Sequence, residues 1–212
     1  GRAIEHDSFT IIDAEAGPHC YTAEQWPLVR RMIHATADFE FNGLTVFHPD
    51  AMQAGLQAVR KGGTPLVADV EMICVGLSQP RLAHFGLTTH HYIADADVIE
   101  AAKAANSTRA VQAMRKAWRL GTLDGAIVGI GNAPTALIEL IRLIRTEGVR
   151  PALIIGMPVG FVSAAESKAS LMTVAETPWV AIEGRKGGST LVVAAIHALL
   201  SLAETAPAQS AA

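Results

Sequence analysis

The sequence predicts an α/β fold: a single domain with a mostly parallel central sheet flanked by helices. Three observations carry this expectation. Short runs rich in Val and Ile recur along the chain, as strands buried on both faces require. Helical patterns lie between and after those runs, and strands that alternate with helices build parallel sheets. Each run also ends in a Gly- or Asp-bearing turn. With 212 residues, 50% of them hydrophobic and only 17% charged, the chain has ample apolar material for one core.

The expected strands are TPLVAD (64–69), HHYIAD (90–95), GAIVGI (125–130), PALIIGM (151–157) and PWVAIEG (178–184). Helical patterns cover roughly 50–60, 71–79, 96–120, 134–147, 163–175 and 189–203. An earlier helix carries RRMIHATADFEF (30–41). Thr22 and Gln25 fit a capping box for its start, and Pro27 offers an alternative first turn. Residues 1–203 are expected to form the domain, and 204–212, rich in Ala, Pro and Ser, a frayed tail.

Bulk properties narrow the function. A net charge of −3 makes the chain as a whole a poor partner for nucleic acid. No stretch approaches the ~18 unbroken apolar residues of a membrane span. The opening residues GRAIEHDSF have no signal-peptide core, and Cys20 and Cys74 form no CxxC pair, so a cytoplasmic protein with reduced thiols is expected. Eight histidines occur without HExxH or Cys/His spacing; adjacent His90 and His91 would face opposite ways in a strand. No metal site is expected. His197 lies in an apolar helix and reads as a core or interface residue. Ser163, Ser170 and Ser189 lack a GxSxG context, which argues against a serine hydrolase.

In sheets of this type ligands bind beyond the carboxyl ends of the strands. That selects Asp69, Asp95 and the segments 129–134, 156–161 and 184–189. VGIGNAPTALIEL (128–140) reads as strand, Gly turn and helix, but Pro134 stands where a dinucleotide fingerprint needs its third Gly. Gly129 and Gly131 would still let backbone approach a ligand, and exposed amides at the helix start favour an anion. In IIGMPVGFVSAAESK (154–168), Ser163 and Glu166 fit a second capping box. IEGRKGGST (182–190) is not a Walker A motif, yet Arg185 and Lys186 on a glycine turn could clamp a carboxylate or a phosphate.

On the helix at 30–41, Leu28, Val29, Met32, Ile33 and Thr36 fall on one side, and Arg30, Arg31, His34 and Asp38 on the other. Two readings stay open. The polar side is a solvated face with ordinary i,i+4 pairs, or His34 is a proton donor in a site built for an anion.

Together RRMIHATADFEF, TPLVADVEM, IVGIGNAPTALIEL, GMPVGFVSAAESK and GRKGGS resemble, in order and over nearly the whole chain, the precorrin-8X methylmutases of cobalamin biosynthesis, including the cobalt-precorrin-8 forms. The resemblance implies an isomerase that moves a methyl group from C-11 to C-12 of the contracted tetrapyrrole, giving hydrogenobyrinic acid or its cobalt counterpart, cobyrinic acid. It implies no cofactor and a homodimer. Carried over residue by residue, it places the proton donor at His34 and substrate contacts at Ser8 and Arg31. By extension the substrate-binding set takes in Asp69, Arg81, Arg109, the backbone of Gly131 and Asn132, the 157–161 loop with Met157 and Phe161, and Arg185. Met72 joins Met157 and Phe161 as a candidate apolar wall. Ser163 stands where the family often has Gly. HATADFEF leans toward the cobalt branch. A carrier that binds the same tetrapyrrole without chemistry is one alternative; an unrelated α/β phosphate-binding enzyme that uses the same Gly turns is the other, and the lack of a complete nucleotide motif argues against it.

Overall fold

The computed structural model describes residues 2–205, with the side chains of 4–205. It is one α/β domain built on a six-stranded sheet of order β1-β6-β5-β4-β2-β3. The strands are β1 (Thr45–Phe47), β2 (Pro65–Ala68), β3 (Thr88–His90), β4 (Ile127–Ile130), β5 (Leu153–Gly156) and β6 (Trp179–Ile182). Every pairing is parallel except that of the edge strand β1 with β6. The helices are α1 (Arg2–Glu15), α2 (Trp26–Thr36), α3 (Phe41–Leu44), α4 (Ala51–Lys61), α5 (Glu71–Gly76), α6 (Gln79–His84), α7 (Ala96–Ala104), α8 (Arg109–Arg119), α9 (Pro134–Glu147), α10 (Ala164–Leu171) and α11 (Ser189–Thr205).

Side chains alternate across the sheet, as the pleat demands. Leu66, Ala68, Ile127, Leu153, Ile155, Val180 and Ile182 face the layer that contains α2, α4 and α11. Val67, Val128, Ile130, Ile154 and Ala181 face the layer of α8, α9 and α10. Helix α11 is apolar nearly all round and is buried from Leu191 to Ala203, as such a helix must be. Its close approach explains a glycine. A Cβ on Gly129 would lie 2.7 Å from a Val192 methyl, so this position serves helix packing rather than ligand approach.

Several expectations need correction. The strand expected at 90–95 is β3, which stops at His90 because its sole neighbour β2 ends at Ala68 and Val67 is the last residue in register. The pattern at 96–120 is two helices. Asn106 turns left-handed (φ 46°), and Thr108 caps α8 by accepting from the Val111 amide at 3.2 Å. The pattern at 71–79 is α5, with α6 restarting behind Ser78 and Pro80. α1 and β1 had no counterpart among the expected elements. Thr22 and Gln25 do exchange both capping-box hydrogen bonds (3.0 and 3.2 Å), closing a turn before α2, and Pro27 occupies the first helical turn. In the expected tail, Glu204 and Thr205 complete α11; residues 206–212 lie outside the described residues.

The second capping box does not form. Ser163 has φ 62° and no side-chain capping bond. That left-handed backbone favours Gly over a residue with a side chain. Ser163→Gly is therefore expected to stabilise the fold by roughly 0.5–1 kcal/mol, read as a higher Tm. An unchanged or lower Tm would show that the position bears no strain.

Candidate active site

Helix α2 buries Leu28, Val29, Met32 and Ile33, which turns Arg30, Arg31 and His34 away from the core. That polar side is neither bare nor laced with its own i,i+4 pairs. Helix α1 lies over it. Arg30 binds Asp13 at 2.6 Å and stacks over the Phe9 ring at 4.5 Å. Arg31 binds Glu5 at 2.7 Å and also approaches Phe9. Trp26 adds a 2.7 Å bond to Asp13.

His34 is the residue this arrangement leaves over. Its ring meets Phe9 edge-on, with centroids 5.3 Å apart. Among the described residues neither ring nitrogen is hydrogen-bonded. It opens on a cavity of about 220 Å³ lined by Ser8, Ile11, Ile12, Glu15 and Phe39 as well as by His34 itself. The Ser8 hydroxyl donates to the Ile4 carbonyl, which leaves its lone pairs able to accept. The structure thus brings Ser8 and His34 into one cavity.

Asp38 does not join His34. Helix α2 ends at Thr36, Ala37 is left-handed (φ 55°), and Asp38 swings out to bind Lys186. That bond holds the Asp38 carboxyl below its ordinary pKa. Lys186 also binds Glu40 at 2.7 Å and lies over the Phe41 ring at 5.7 Å. The strand-end loop 184–188 is thereby tied to the segment that follows His34.

At the strand ends themselves the structure gives the expected residues partners within the protein. Asp69 is fully buried, and its oxygens accept from the amides of Gly131 (3.1 Å), Asn132 (2.8 Å) and Ala133 (2.7 Å). The anion at the start of α9 is therefore the protein's own, and those amides are already taken. Burial pushes the Asp69 carboxyl above its ordinary pKa, while the three amides pull it back. Gly131 admits no Cβ because the Ser189 backbone would lie 2.6 Å from it. Met157 is core rather than wall, with no exposed surface; Phe161, 83% exposed, and Met72, 61% exposed, are open to a ligand. The Arg185 guanidinium lies 5.5 Å from the Phe161 ring centroid.

The remaining arginines lie elsewhere. Arg81 binds Glu204 (2.8 and 3.0 Å) and the Ser201 hydroxyl, and so ties α6 to the end of α11. Arg109, at the start of α8, lines a separate cavity with Lys103, Asn106 and Ser107, on the opposite layer from α2.

The profile of a family described as precorrin-8X methylmutase matches residues 3–202. The chain belongs to the precorrin-8X methylmutase family. It is 53% identical over 207 residues to a protein named cobalt-precorrin-8 methylmutase from Leptospira interrogans, covering 95% of this chain and 94% of that one. It is 52% identical to one of the same name from Priestia megaterium, over 95% of this chain and 88% of the relative. Among solved structures, the precorrin-8X methyl mutase of Thermus thermophilus superposes with a TM-score of 0.88 at 52% identity, covering 95% of this chain and 98% of that one. The chain is thus a methylmutase, an isomerase of cobalamin biosynthesis.

For a precorrin-8X methylmutase one further residue stands out. Lys168 is fully buried in α10, and its ammonium donates to the Lys186 carbonyl. Burial lowers its pKa to about 8, which still leaves it charged at pH 7. Nothing in SAAESK distinguishes a buried Lys from a surface one, so the sequence alone does not mark it.

Proposed function

We propose that this methylmutase moves the substrate methyl from C-11 to C-12, with His34 as the general acid. The observation that carries this reading is the position of His34. It is the one member of the α2 polar face that α1 leaves without an ionic or hydrogen-bonding partner, and it opens on a cavity shared with Ser8. Protonating the conjugated ring draws electron density from the migrating centre. The C-11 bond to the methyl then breaks as the C-12 bond forms. Substrate and product are isomers, so the ring must release that proton again, and the neutral imidazole left behind can take it. Ser8 offers an acceptor beside His34. Arg31, oriented by Glu5, and Arg185, stacked at Phe161, supply the cationic rim for the carboxylates.

A cavity of about 220 Å³ is below the roughly 300–1,000 Å³ of sites that enclose a ligand. The macrocycle would enter by an edge, its faces against exposed Phe39 and Ile11. A homodimer, which the family resemblance implies, would cover more of the ring. The names of the two curated relatives described above support a cobalt-bearing substrate, converted to cobyrinic acid. Two free cysteines support a reducing cytoplasmic setting, and no helix among the described residues is long and apolar enough to cross a membrane.

The purified protein is expected to convert precorrin-8X or cobalt-precorrin-8 in single-turnover mixing, followed by the change in visible spectrum. Affinity for hydrogenobyrinic acid should fall as salt rises, because carboxylate contacts are screened. Binding without conversion of either substrate would leave a carrier in place of an enzyme.

A further inference from the structure

A lysine with no exposed surface is uncommon, because burying an ammonium is costly unless the protein gains from it. Lys168 has no carboxylate partner among the described residues; desolvation alone shifts its pKa, and its hydrogen bond goes to a main-chain carbonyl. An apolar side chain would fill the same space without that cost. What Lys168 holds is therefore the informative point.

The carbonyl belongs to Lys186, whose own ammonium binds Asp38 and Glu40, just beyond the end of the His34 helix. The preceding residue is Arg185, whose carbonyl accepts from Gly160 at 3.2 Å and whose guanidinium sits at Phe161. On the other side the Gly188 amide donates to Met157 at 2.8 Å. A Cβ on Gly187 would lie 2.2 Å from the Met157 carbonyl oxygen, so the two loops touch backbone to backbone. Lys168 thus grips the point where the Arg185 loop, the 157–161 loop and the post-His34 segment meet.

We propose that Lys168 is a positioning residue for substrate binding. From below, it fixes the main chain of Lys186, so that the Lys186 side chain straps the Arg185 loop to Asp38 and Glu40 and sets Arg185 and His34 at a fixed separation for a polycarboxylate. This rests on the proposed function. Because the strap acts on bound carboxylates rather than on the proton transfer, it governs KM more than kcat.

The test compares Lys168→Met, Lys186→Met and the double variant with wild type in steady-state conversion of precorrin-8X, well below each Tm. Each single variant is expected to raise KM about tenfold, the scale of one lost charged contact, with kcat within about threefold of wild type. Because both act on one strap, the double variant should be no worse than the poorer single one. If Lys168→Met does not fold, Lys168→Gln replaces it with the same readings. A lowered Tm with KM unchanged in either single variant, or fully multiplied effects in the double, would overturn the proposal. Failure of the wild type to convert the substrate would instead remove the proposed function beneath it.

Discussion

His34→Ala is expected to lower the single-turnover rate of methyl migration by roughly 10²–10⁴-fold, the usual cost of removing a positioned general acid. Product affinity should change far less. The cationic rim of Arg31 and Arg185 stays in place, since Arg31 is held by Glu5 and Arg185 by its own loop. The fold should tolerate the change. His34 is exposed, and what it loses is an edge contact with Phe9, worth about 0.5–1.5 kcal/mol. The measurement is the spectral change after mixing enzyme with precorrin-8X, with hydrogenobyrinic acid titrated in parallel. A variant that converts substrate at near wild-type rate removes His34 from the chemistry. One that neither converts nor binds makes His34 a binding residue instead.

His34 could be singled out in the sequence for its setting, but its partners could not. The sequence places it among Arg30, Arg31 and Asp38 by helical spacing, and all three go elsewhere. Arg30 and Arg31 turn to α1, a helix with too few regularly spaced apolar residues to show itself, because it packs partly against a polar face. Asp38 leaves because Ala37 ends the helix in a left-handed turn, which no Gly or Asn announces. By contrast, the helix at 134–147 appears with the bounds read from its pattern, since Pro134 opens it and Gly148 closes it. Glycines were legible as points of close approach, but their spacing does not say what approaches. At Gly129 and Gly131 it is α11. The burial of Lys168 is a tertiary fact with no local signature.

The same limit governs Asp69, where the largest stability effect is expected. As a residue at a strand end it looked available to substrate. In the structure it caps α9 from a different strand, because Ala133 at the N-cap has no side-chain acceptor and Pro134 has no N–H to satisfy. A carboxylate at a helix start also gains from the helix dipole. Asp69→Ala would leave three amides without this acceptor at about 1–3 kcal/mol each, less where water can reach. Gly131 is buried, whereas Asn132 is exposed and Ala133 half-buried, so the total should lie near the low end, about 3 kcal/mol. For a domain of this size that corresponds to a Tm lower by roughly 6–12 °C. Asp69→Asn should fall between, because its one carbonyl oxygen can serve only part of the set while its NH₂ meets an amide N–H. Thermal denaturation of the two variants decides the matter. A Tm within about 2 °C of wild type, together with lost affinity for hydrogenobyrinic acid, would return Asp69 to the substrate site. A large Tm drop, with affinity kept at low temperature, makes it the internal anion around which the strand-end turn is built.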